Sequence, residues 1–141
     1  MKRLRAAVVA ASAVVGVAMT GAPAHADTPW KVVGQVNVPG CAAYLYGHWL
    51  SDGSAEVQGE AIGVGTQYGI KCGIRVQRER AGSYGWTDVS NPIYSTTPDD
   101  TPAWSGIHWD GSDNSVQSRV CLWQYNSAFG SGGFVGCSGG W

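Results

Sequence analysis

The chain has 141 residues and a formal charge of −1, room for a single domain. It carries 21 Gly, 7 Trp, 6 Tyr and 2 Phe, but only 9 Lys/Arg and 10 Asp/Glu. That much glycine excludes a helical bundle, the lack of a basic surplus argues against a nucleic-acid binder, and the aromatic content excludes a disordered chain. A compact, turn-rich β domain remains.

The first 26 residues read as an export signal. Lys2, Arg3 and Arg5 form a basic start, residues 6–19 are uncharged and apolar, and Ala24-His25-Ala26 is an A-x-A cleavage site. The apolar run is shorter than the roughly 20 residues that span a bilayer, and no second run of that length follows. The mature protein is therefore expected to be secreted, extracellular and free of the membrane. Residues 27–141 keep six Lys/Arg against ten Asp/Glu, a formal −4. Alanine and valine richness, with Arg favoured over Lys, points to a high-GC bacterium such as an actinomycete.

Export places Cys41, Cys72, Cys121 and Cys137 in an oxidising compartment. Three pairings are possible. Cys41–Cys72 with Cys121–Cys137 is favoured, because each half of the chain then closes its own loop. No C-x-x-C spacing for zinc is present, and no metal or cofactor is expected.

After a polar arm, Asp27-Thr28-Pro29, residues 30–38 alternate, with Trp30, Val32, Val36 and Val38 on one face. Pro39-Gly40 ends that strand. Residues 41–50 form a second, with Tyr44, Tyr46 and His48 opposing Leu45 and Trp49. Residues 55–64 form a third, small residues opposing Glu56, Gln58 and Glu60. Residues 68–80 alternate most clearly, Ile70, Cys72, Ile74 and Val76 inward. Residues 86–90 return as a hairpin partner, and 91–102, with three prolines, read as a loop. Residues 103–109 form a short strand, 115–125 a long one, 126–133 a loop and 134–137 a last strand. About eight short strands with frequent turns and no helical period predict one all-β domain over 27–141. The expected architecture is a two-sheet antiparallel β-sandwich of immunoglobulin-like size, with two disulfides.

Catalytic constellations are scarce. No G-x-S-x-G occurs. Glu56 and Glu60 lie about 13 Å apart on one strand, too far for a glycosidase pair, and read as a solvated face. Gly63-x-Gly65-x-x-x-Gly69 has no helix to feed and is a turn. Asp110-Gly111-Ser112-Asp113-Asn114 is rich in oxygen ligands but lacks the distal Glu of a calcium loop, and reads as a turn. A hydrolase would have to combine Asp110 with His48 or His108. The expectation is that the protein is not an enzyme.

The aromatics say more, since seven Trp exceed what one sandwich core needs. Trp123 and Tyr125 share a face with Cys121. Trp104 and Trp109, five apart, face opposite ways unless a bulge intervenes. Phe129 tips the loop between Cys121 and Cys137, and Trp141 ends the chain on a Gly-Gly hinge. These six are the candidate partner-binding residues, since exposed Trp and Tyr anchor protein interfaces or stack on sugars.

Cys121 and Cys137 are 16 apart with Trp123-Gln124-Tyr125 between them. This resembles the tendamistat-type amylase inhibitors, which carry a Trp-Arg-Tyr triad inside a cystine loop of that spacing; here Gln124 stands in place of the Arg. In size and plan the chain is also similar to the small secreted adaptors of actinomycete umbrella toxin particles. Those adaptors link a toxin-bearing subunit to a lectin-bearing one. Both resemblances imply a protein that holds another secreted protein, a toxin-complex subunit or an enzyme. The alternative reading is a carbohydrate-binding module stacking sugars on Trp104, Trp109 or Trp123.

Overall fold

The computed structural model describes residues 26–65, 68–97, 101–112, 115–126 and 130–141. Residues 1–25 of the export signal, Phe129, the acidic pair Asp99-Asp100 and the turn residues Asp113-Asn114 lie outside the described residues. No helix occurs among the described residues, and the strands form two antiparallel sheets. Among the described residues there are ten strands rather than about eight. They are β1 (Lys31–Val38), β2 (Cys41–Trp49), β3 (Ala55–Gly63), β4 (Ile70–Arg80), β5 (Thr87–Asp88), β6 (Ile93–Thr96), β7 (Ala103–Trp104), β8 (His108–Trp109), β9 (Val116–Asn126) and β10 (Ser131–Cys137).

Two differences raise the number. The expected strand at 103–109 is two short pieces, β7 and β8, both paired to β3. The expected loop at 91–102 contains β6, which pairs with β4 from Lys71↔Thr96 to Ile74↔Ile93. The flanking prolines masked the alternation in Ile93-Tyr94-Ser95-Thr96, yet an edge strand tolerates proline at its ends.

The first sheet runs β1-β2-β3-β7, with β8 also on β3, and the second runs β10-β9-β4-β5, with β6 also on β4. Between them pack Leu45, Val57 and Ala61 from the first, and Ile70, Ile74, Val76, Val120 and Leu122 from the second. The central strands β2, β3, β4 and β9 turn alternate residues toward this core, as a period of two requires. The β1–β2 turn shows the local chemistry. Pro39-Gly40 joins Val38 to Cys41 directly, and Gly40 takes φ +90°, which only glycine adopts readily after proline in a type II turn.

The disulfides are Cys41–Cys72 and Cys121–Cys137, the favoured pairing. They do different work. Cys41–Cys72 joins β2 to β4 and so ties one sheet to the other through the core. Cys121–Cys137 lies within the second sheet, between directly opposed residues of β9 and β10. Closing loops of 31 and 16 residues restricts the unfolded chain by roughly 3–4 kcal/mol each.

Candidate binding surfaces

Three one-residue register shifts decide which side chains reach the outer faces, and all three lie at sheet edges. In β1 the pairing moves from Val32↔Tyr46 to Gly34↔Leu45. An extra residue reverses which face every later side chain takes. Val33, Val36 and Val38 therefore pack on the core, while Val32 stays 46% exposed. The expected single face of Trp30, Val32, Val36 and Val38 is thus split. Trp30 instead stacks on His48, centroids 4.0 Å apart, on the outer side of the sheet.

The second shift concerns the tryptophans. Trp104 is opposite Glu60 and Trp109 opposite Glu56, so the pairing gains one residue between them. Ser105 marks the irregularity: it is buried, and its hydroxyl accepts the Gly59 N–H at 2.8 Å. Glu56 and Glu60 are both outward residues of β3, so both tryptophans lie on one outer face rather than on opposite faces. Each is 45% exposed.

Face A, the outer side of the first sheet, thus collects Trp30, Tyr44, Tyr46, Trp104 and Trp109. Tyr46 lies 6.4 Å from Tyr44 and 5.3 Å from Trp104, centroid to centroid, giving a tilted run of rings. Polar groups sit among them. Tyr46 Oη donates to Glu60 Oε2 at 2.8 Å, and His48 Nε2 lies 3.2 Å from Glu56 Oε2. Gln58 Nε2 donates to the Ser105 carbonyl at 2.9 Å. Burial, with the bond to the Glu60 carboxylate and its charge, pushes the Tyr46 phenol up to about 12. Glu60 is buried beneath this run, not a member of a solvated face.

Face B, the outer side of the second sheet, is built on β4 and β9. The register sets Tyr94, Gly73, Trp123 and Phe134 in one row across four strands. Lys71 and Tyr125 are paired in the next row one way, and Arg75 and Cys121 the other way. Trp123 meets Phe134 at 5.3 Å. Lys71 Nζ stands 3.9 Å over the Tyr94 ring, and the Arg75 guanidinium 5.8 Å over Trp123. Arg75 is ion-paired with Asp88, to which Gln77 also donates at 2.9 Å.

The faces differ in the placing of their charges. Of the Lys and Arg after the export signal, all but Lys31 lie on β4 and β9. β2 and β3 have neither, and β3 carries Glu56 and Glu60. Face A carries Glu56 and Glu60, with Arg78 and Arg80 of β4 reaching its Trp109 ring at 5.8 Å; face B carries Lys71, Arg75 and Arg119 among Glu79 and Asp88.

Of the six candidate residues, four reach these faces: Trp104 and Trp109 on A, Trp123 and Tyr125 on B. Trp141 does not. Its backbone exchanges hydrogen bonds with Ser118, and its ring packs on Trp49 and over Gly47, where even a Cβ would come within 2.6 Å of it. It plugs the open end of the sandwich. Sequence reasoning left out Trp30, Tyr46, Tyr94, Phe134 and Gly73 as site residues. Tyr46 was legible from alternation; Tyr94 was hidden in the expected loop, and Gly73 matters only through its neighbours.

Asp110 and His48 lie on opposite sides of the first sheet. His48 lies on the outer side of the first sheet. Asp110 is buried between the sheets, hydrogen-bonded by the Ser118 hydroxyl and 3.8 Å from Arg78 Nε. Burial pushes its carboxyl up to about 6 against the pull of Ser118 and Arg78. Burial and Arg78 hold His108 below its ordinary range. No group of three or more His, Cys, Asp or Glu is placed to hold a metal ion among the described residues. No protein-family model, curated protein or solved structure matches the chain.

Proposed function

We propose that the chain is a secreted, non-catalytic binding protein with protein partners. In the adaptor form of this reading it joins two subunits of an extracellular assembly, one on each outer face; in the simpler form it uses one face to hold a secreted enzyme as an inhibitor. The observation that carries the reading is the pair of exposed aromatic faces on opposite sides of one small sandwich. Interface anchors are typically Trp, Tyr and Arg in clusters, and each face has such a cluster in a chain whose core needs none of them. Two disulfides and a small core suit an extracellular setting, in keeping with the export signal. Pull-down of the tagged mature protein from culture supernatant tests it. Recovery of a stoichiometric protein is expected, and recovery of none at native levels overturns it.

A second reading has its own support on face A. There the rings alternate with Gln58, Glu56 and Glu60, which supply both donors and acceptors, as sugar hydroxyls require. Depletion of the protein from solution by cellulose, chitin, starch or cell-wall glycan, lost in Trp104→Ala, would favour a carbohydrate-binding module over a protein adaptor.

A further inference from the structure

On face B, Gly73 interrupts a row of large side chains. Tyr94 stands on one side of it and Trp123 on the other, each one strand away, so their backbones are about 9.5 Å apart. The Tyr94 ring leans over Gly73, its Cε1 2.9 Å from where a Cβ would stand, and beside it lies a cleft of about 280 Å³ lined by Gly73, Tyr94, Trp123, Tyr125, Arg75 and Pro92. Sites that engulf a whole drug-sized ligand run from roughly 300 to 1,000 Å³. A cleft of this size on an open sheet holds one or two residues of something that continues past it.

The polar groups around the cleft are one-sided. The Lys71 ammonium, the Arg75 guanidinium and the Trp123 indole N–H only donate, and the tyrosine hydroxyls do both. The nearby carboxylate, Asp88, is engaged by Arg75 and Gln77. A sugar ring brings hydroxyl donors that would compete for few acceptors here. A polypeptide in the polyproline II conformation brings carbonyl acceptors, no N–H at its prolines, and a flat ring that stacks on Tyr and Trp. It is also ordered before binding, which lowers the cost of docking. Carboxylates beside the prolines would meet Lys71.

We propose that this cleft takes an extended, acidic, proline-containing segment of the partner protein, one proline ring seated between Tyr94 and Trp123. The proposal rests on the reading of face B as a protein-docking surface. It is tested by calorimetric titration of the mature protein with a synthetic Pro-Pro-Glu repeat peptide. A Gly-Ser-Glu peptide of equal length and charge, and chitohexaose, serve as alternatives. The proline peptide is expected to bind at least roughly tenfold more tightly than the Gly-Ser-Glu peptide, and less tightly as salt is raised.

Gly73→Ala is the matching variant. Its Cβ would come within 2.9 Å of Tyr94 Cε1, so the ring must move into the cleft, a shift the far end of an exposed side chain can make. A roughly tenfold or greater loss of proline-peptide affinity is expected, with Trp123→Ala as a second variant at a half-exposed position should Gly73→Ala fail to fold. Equal binding of the two peptides, or binding unchanged in both variants, overturns the proposal. So does chitohexaose binding that both variants abolish. If the proline peptide fails but the pull-down still depends on Trp123, the segment chemistry alone is wrong. If the pull-down does not depend on Trp123, the protein-docking reading of face B falls with it.

Discussion

The two outer faces of the sandwich were assembled by the same means and came out unlike. Both stand on a pair of long, regular central strands, β2 and β3 for face A and β4 and β9 for face B, and both take further rings from irregular edge strands. Face A is a flat aromatic sheet with buried carboxylate support; Glu60 and Glu56 hold Tyr46 and His48 from below. Face B has a cleft between Tyr94 and Trp123, with Lys71 over the one ring and Arg75 over the other. Two surfaces that differ in shape and in the placing of their charges select different partners, because affinity follows complementarity. That contrast is the reason to read the molecule as a connector rather than as a single-faced inhibitor.

The largest effect is expected where the two faces are joined. Cys41→Ala with Cys72→Ala removes the only disulfide that joins the two sheets among the described residues. It is expected to lower unfolding free energy by roughly 3–4 kcal/mol, read by denaturant titration. A loss no greater than that of the Cys121/Cys137 double variant would mean that the faces are held in place by packing alone. Trp141→Ala comes next. Large aromatic truncations in full cores cost roughly 3–5 kcal/mol, and this half-buried plug is expected to cost about 2–3 kcal/mol, with binding at either face unchanged.

Trp104→Ala and Trp123→Ala break the comparison most directly. Each is expected to cost about 2 kcal/mol of binding at its own face, with stability nearly unchanged, and each should release a different protein in the pull-down. If both release the same single protein, the two faces serve one partner and the connector reading fails.

The smallest expected effect lies in the buried pair behind both faces. The Asp110 carboxyl sits at about 6 in the folded chain, above its ordinary 3.8. Its protonated form therefore favours folding, in full below about pH 4, and this contribution is lost as pH rises through 6. His108 is held below its ordinary 6.5, so its contribution is present above 6.5 and lost as pH falls. Asp110→Asn is expected to remove the decline in stability from pH 4 to 7 and leave the opposite trend from His108. Identical melting-temperature profiles for variant and parent would show that Asp110 does not titrate in that range.

Much of the core was legible in the chain. In β4, Ile70, Cys72, Ile74 and Val76 alternate with Lys71, Gly73 and Arg75, and the structure buries all four. The same holds for Val120 and Leu122. The candidate site was legible only in part. Trp123 and Tyr125 follow the alternation of β9, but the common face of Trp104 and Trp109 depends on an extra residue near Ser105 that periodicity cannot place. Tyr94 lies between prolines in a segment that pairs only because β4 offers it an open edge. Trp141, a free end by sequence, is taken up because the sandwich has a gap over Gly47.

By itself, then, the amino-acid sequence determined the all-β class, the inward residues of the central strands and the aromatic surplus, because a period of two and turn chemistry are local properties. Tertiary structure alone decided how the surplus was shared: two faces, a cleft and a plug. Each of those choices depends on a register shift at an edge strand or on the space left beside a glycine. Such features are set by the neighbouring strand, and a strand read alone does not contain its neighbour.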